Sequence, residues 1–189
     1  MKAPVLSAFA LVLVSSVASA QPKDDGVRRD PKGLKGISPF WEHVKKGDSA
    51  YIARDFEGAI AAYRQAIAEE PQNAMGHYRI GEAHLKKGDL PEAEAAWVAG
   101  LRFVGGDAAL KAKLLFVLAD LRERQKAHDD AVDRWTAYAT HVQEKPESKG
   151  YPATAEERKK RVADWKKMLE EAKVVKERIA KRVEEASKK

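Results

Sequence analysis

Asp55-Phe56-Glu57-Gly58-Ala59-Ile60-Ala61-Ala62-Tyr63-Arg64-Gln65-Ala66 is the stretch that decides the fold. Its frame returns 34 residues later: Gly47, Asp55, Phe56, Ala59 and Tyr63 are matched by Gly81, Asp89, Leu90, Ala93 and Trp97. Gly47, Ala59 and Ala66, and then Gly81, Ala93 and Gly100, are small where two helices of a hairpin must approach closely. Tyr63 and Trp97 are bulky and fill the gap to the next hairpin. A unit of this length cannot bury its apolar face alone and must stack on a neighbour. A looser third copy holds Leu115, Leu118-Ala119, Arg122, Ala131 and Trp135. Ala93 to Ala131 is 38 residues, so about four residues are inserted, and the Gly pair in Val104-Gly105-Gly106-Asp107 is where a longer loop is expected. Strand signals are poor, since Val and Ile fall at helical spacing and no run alternates strictly. The expected class is all-α: a short α-solenoid of about three helix hairpins with a long C-terminal helix.

Outward from this core, the chain divides into segments. Lys2, the apolar run Val5 to Val14 and Ala18-Ser19-Ala20 form a secretory signal peptide over 1–20, with cleavage expected after Ala20. The apolar run is short of the ~20 residues a bilayer span needs, so no integral membrane segment is expected after cleavage. No Cys follows it to carry a lipid, and the chain has none at all. Residues 21–37, with Pro22, Gly26, Pro31, Gly33 and Gly36, read as a flexible leader. Ser38-Pro39 offers a helix start, and the repeat domain is expected over 38–143. A loop over 144–153 contains Pro146, Gly150 and Pro152. Thr154, with Glu157 three residues on, is expected to cap a long helix over 154–187. Val162, Trp165, Leu169, Ala172, Ile179 and Val183 mark its apolar stripe, interrupted by Lys176.

The net charge of +6 does not indicate nucleic acid. Residues 154–189 alone carry 13 basic and 8 acidic residues, whereas residues 21–153 are balanced, 21 against 21. The excess sits on the last helix, and export removes the protein from cellular DNA and RNA. Glu170-Glu171 breaks the basic face, which argues against membrane binding.

The motif slots resemble the tetratricopeptide repeat family, whose first helix carries a large residue, Leu-Gly and Tyr, and whose second carries Ala, an aromatic and a closing Pro. Here those slots hold His43, Lys46-Gly47, Ala50, Ala59, Tyr63 and Pro71, then His77, Ile80-Gly81, His84, Ala93 and Trp97. The resemblance covers residues 40–143 and implies a protein-binding stack whose first helices line a concave groove. The face opposite the motif residues, found at about 100° per residue, carries Trp41, Val44, Asp48 and Tyr51, then Met75, Tyr78, Glu82 and Leu85, then Lys113, Phe116, Asp120 and Glu123. Val44, Tyr78 and Phe116 form an apolar row, and Asp48, Glu82 and Asp120 an acidic one. Such a groove favours a partner segment that is apolar and carries Lys or Arg. It disfavours the carboxylate-clamping variant of the family, which uses basic and amide residues on this face.

The C-terminal helix is expected to cap and solvate the end of the stack, as a terminal element must, and two alternatives stand beside this. Folded back, its net charge of +5 would suit the acidic row and fill the groove. Its stripe would also pair with a second copy; with the helix dimerised and the groove filled, the chain would be a self-associating structural envelope protein. Enzyme motifs are missing: there is no His-Glu-x-x-His, no Gly-x-Ser-x-Gly and no phosphate loop ending in Lys. His77 and His84 are seven apart but occupy repeat slots, which favours packing over a metal pair. The sequence thus indicates an exported, periplasmic or extracellular, non-catalytic adaptor without cofactor or metal.

Overall fold

The structure is a computed structural model and describes residues 36–188. The expected signal peptide over 1–20 and leader residues 21–35 lie outside the described residues. Seven α-helices follow in order: α1 (Pro39–Ile52), α2 (Phe56–Glu69), α3 (Ala74–Lys87), α4 (Leu90–Phe103), α5 (Ala108–Arg124), α6 (His128–Glu144) and α7 (Pro152–Ser187), with a short 3₁₀ turn at Pro146–Ser148. Their boundaries follow local chemistry. Pro39 fills the first position of α1, where its missing N–H costs nothing. Asp55, Asn73 and Asp107 cap α2, α3 and α5 by accepting from the N–H of Gly58, Met75 and Leu110. Asp89 stands at the same point before α4, but its side chain does not cap that helix. Its carboxylate turns instead to His84 Nδ1 (3.3 Å) and Lys87 (3.1 Å).

The helices form three antiparallel hairpins. Each second helix packs on the first helix of the next hairpin, and the first helices also touch one another, α1 with α3 and α3 with α5. The first helices therefore make the inner layer and the second helices the outer one. Inside each hairpin a ring occupies space that a side chain on the first helix would need. A Cβ on Gly47 would lie 2.4 Å from Tyr63, and one on Gly81 2.3 Å from Trp97. Tyr63, Trp97 and Trp135 are all buried, and Phe40 seals the first hairpin.

The third hairpin departs from the sequence expectation. The loop 104–107 is no longer than the loop 70–73 one repeat earlier, so the added residues are not there. They lie at the start of α5, where residues 108–118 precede Ala119 against residues 74–80 before Gly81; α6 is also longer, 17 residues against 14, but only after Ala131. Aligned on Ala119 and Ala131, the extra turns fall at the start of α5 and the end of α6. These ends meet, and the His141 ring bonds the Ala108 carbonyl across them (3.0 Å). Gly is a poor helix former, yet Gly105-Gly106 marks a turn of ordinary length, with Gly105 at φ +53°.

The hairpin turns share one conformation. Arg54, Gly88 and Lys126 take the same place in the three repeats, with φ of +64°, +98° and +59°. Only the second position has the residue type that adopts this region freely. The last helix begins two residues before the expected Thr154 cap: Pro152 is its first residue, preceded by extended Tyr151, and Thr154 N–H bonds the Tyr151 carbonyl. Pro-first geometry thus takes the place of the capping box.

Two outcomes follow for stability. Gly81→Ala forces a methyl into the Trp97 indole and is expected to cost about 1–3 kcal/mol in urea unfolding. Lys126→Gly relieves the left-handed turn and is expected to raise stability by up to about 1 kcal/mol.

Candidate functional site

The inner face of α1, α3 and α5 carries the residues singled out from the sequence, but in different states. Trp41 is exposed at the edge of the stack, its ring edge-on to Phe40 (5.0 Å). Val44 is 3 % exposed, enclosed with Phe40, Ala66 and Met75, so this member of the apolar row is core and closed to a partner. The correction has a simple cause: the seam between α1 and α3 runs through Val44, and helical periodicity alone does not show where adjacent hairpins touch. Tyr51 is half-buried, edge-on to Phe56 (5.8 Å), and Leu85 is half-buried against the second core cluster.

Tyr78 and Phe116 come together around a cleft of about 450 Å³. Its other walls include Lys113 on α5, Tyr138 on α6 and the segment Ser148–Tyr151. The extra turn of α5 contributes Ala109 to this wall, so the insertion in the third hairpin helps to build the cleft. Phe116 is held edge-on to Trp135 (5.1 Å) and Tyr138 (5.6 Å). The Tyr138 hydroxyl accepts from Tyr151 N–H (3.0 Å), pinning the loop over the cleft. Gly150 lets this loop press on α6, where an added Cβ would lie 2.2 Å from Val142. Burial, reinforced by the negative charge of Glu82, pushes the Tyr78 hydroxyl up to about 12, so it stays a neutral donor.

The acidic row is present but largely matched by cations. Asp48 accepts from the Tyr63 hydroxyl (2.7 Å) and faces Arg79 Nε at 3.5 Å. Asp120 is paired with Arg124 on its own helix and with Arg158 of α7. Glu123 accepts from Trp135 Nε1 (3.2 Å), Arg158 Nε (2.8 Å) and Arg161 Nε (2.9 Å). Glu82 differs: its Oε1 is buried and has no hydrogen-bond partner among the described residues. Burial raises its pKa, partly offset by Lys86 and Arg79. Arg79 and Arg158 were not found from the sequence. Arg79 lies just off the inner face. Arg158 is 38 positions from Asp120, and its only signal was its basic charge near the start of the last helix.

The last helix does not fill the groove. It packs on α6, burying Ala155 and Val162, and Arg158 lies over the Trp135 ring at 4.9 Å. Beyond Val162, residues 163–188 are all exposed. It therefore reaches only the α5 end of the inner face. The two His of the second hairpin serve separate contacts: His77 bonds the Pro71 carbonyl (2.8 Å) and stacks on Phe103, and His84 meets Asp89. No group of three His, Cys, Asp or Glu suited to a metal occurs among the described residues. No helix among them is long and apolar enough to cross a membrane.

Comparison with known proteins bears on this arrangement. Residues 44–108 match the family model of the tetratricopeptide repeat. No curated protein matches the chain. Among solved structures, the TPR2B domain of yeast Sti1, in complex with pHsp70, is similar with a TM-score of 0.59 and 17% identity, over 67% of this chain and 98% of that one. The Arabidopsis OM64 TPR domain is similar with a TM-score of 0.53 and 20% identity, over 65% of this chain and 93% of that one.

Arg158 is the residue through which the last helix is fastened. Arg158→Ala leaves Asp120 and Glu123 short of a cation and is expected to cost on the order of 2 kcal/mol. Amide exchange over residues 155–162 should quicken while that of α3 and α4 is unchanged.

Proposed function

We propose that this chain, whose hairpins are tetratricopeptide repeats, is an exported, non-catalytic adaptor or assembly factor that holds a segment of a partner protein on its inner face. The observation that carries this reading is the pairing of the cleft between Tyr78 and Phe116 with the unpartnered Oε1 of Glu82, one helical turn from Tyr78. An aromatic-walled cleft takes an apolar side chain, and a buried carboxylate without a donor calls for a cation. Because Asp48 and Asp120 already have partners, the basic preference narrows from a row of three acids to one place. The segment is therefore expected to carry an apolar residue for the cleft and a single Lys or Arg for Glu82. Structural likeness to a domain found in complex with pHsp70 supports the use of such a stack in holding partners. Export rests on the N-terminal sequence pattern of Lys2, an apolar run and Ala18-Ser19-Ala20.

Glu82 makes the reading pH-dependent with a definite sign. Its pKa in the fold lies above the ordinary 4.5, so the folded protein favours the protonated form. Its contribution to stability is thus present below pH 4.5 and is lost as pH rises through the raised value. A bound Lys or Arg reverses the preference by favouring the ionised form. Affinity for a basic segment is expected to climb as pH rises from 4.5 through that raised value. Isothermal calorimetry with peptides that differ only in Lys, Gln or Glu at one position measures this. Glu82→Gln is expected to weaken the Lys peptide about 10-fold and to flatten its pH dependence. Equal binding of the three peptides would dispose of the assigned chemistry.

A further inference from the structure

The exposed half of α7 has a heptad. Val162, Leu169, Lys176 and Val183 alternate at steps of three and four with Trp165, Ala172, Ile179 and Ala186. Met168 and Val175 widen the stripe on one side. Only Val162 is buried by the stack; Trp165, Met168, Leu169, Val175, Ile179 and Val183 are 46–64 % exposed. A lone helix in water gains nothing from such a stripe, and contiguous apolar surface of this extent marks an interface.

We propose that α7 pairs with α7 of a second copy, antiparallel, with the two-fold axis at position 174. Three observations lead to the second copy and to this register. The stripe is symmetric about that midpoint: Trp165 meets Val183 of the second copy, Leu169 meets Ile179, and Ala172 meets Lys176. The single charged seam residue thus faces the smallest one, which leaves room for its stem to run out to water. A parallel pair would stack Lys176 on Lys176 and bring two repeat stacks to the same end. Lys173 does meet its own copy beside the axis, outside the seam, where both stems reach solvent.

The area is sufficient. Covering those six exposed side chains removes on the order of 600 Å² from water on each protomer, about 1,200 Å² in all, the lower bound of a standard stable interface. The pairing involves no inner-face residue between Trp41 and Phe116, so it stands or falls independently of the partner segment proposed above.

Light scattering and cysteine crosslinking on the purified protein test the proposal, the latter cleanly because the chain has no native Cys. At micromolar concentration the expected mass is twice that of the chain. Leu169→Glu with Ile179→Glu should halve it while the far-ultraviolet circular dichroism stays helical. Under mild oxidation, a mixture of Leu169→Cys and Ile179→Cys chains should give a disulfide-linked pair, whereas Leu169→Cys alone should not. A monomeric wild-type mass, a dimer that survives the double Glu variant, or self-crosslinking of Leu169→Cys would each overturn it. So would a monomer that gains mass only on adding another protein, since the stripe would then serve a different helix.

Discussion

The edge of the Tyr63 ring lies 2.4 Å from where a Cβ on Gly47 would stand, and the Trp97 indole lies 2.3 Å from the same point on Gly81. This substitution of a ring for a side chain governs the rest of the stack. It brings the two helices of each hairpin close, and it sends the polar atom of each ring through to the inner layer. The Tyr63 hydroxyl binds Asp48, the Trp97 N–H binds the Tyr78 carbonyl, and the Trp135 N–H binds Glu123. Three buried aromatics thus fix the backbone or side chain of a residue on the face open to partners. Packing and site are one construction here.

That construction was legible in the sequence to the extent that it is local. The 34-residue step marked the hairpins, and Tyr63, Trp97 and Trp135 are buried as their spacing implied. What periodicity could not supply is the relation between neighbouring hairpins. Val44 belongs to the inner face by its angle on α1, yet Phe40 and Met75 close over it. The inserted residues were misplaced for a related reason. A length difference between Gly100 and Ala119 has no address in the sequence, and Gly105-Gly106 drew it to a loop. The start of α5 absorbed it instead, where the added turn meets the lengthened end of α6 and is held to it through His141.

The charges show the same division. Asp48, Glu82 and Asp120 do lie in sequence at one position of successive repeats, but a row of acids is costly unless cations answer it. Arg79 answers at one end, and Arg124 and Arg158 at the other. Arg122, which departs from the apolar residue usual at its slot, joins hairpins two and three through Glu94. The stack thereby uses ion pairs where a longer apolar row would otherwise be required, and it leaves one carboxylate oxygen unanswered near its centre.

Arg158 has a mechanical consequence. It grips Asp120, Glu123 and the Trp135 ring within the first two turns of a 36-residue helix. The 25 residues beyond Val162, as far as Ser187, form an arm of about 38 Å past that grip. A tilt of about 10° at the pivot moves its tip by about 7 Å, at 1.5 Å of rise per residue. Small adjustments among Trp135, Asp120 and Glu123 are thus magnified into large excursions at Ser187. The same residues border the end of the inner face, so a disturbance of that border would be felt far from it, as a swing of the arm.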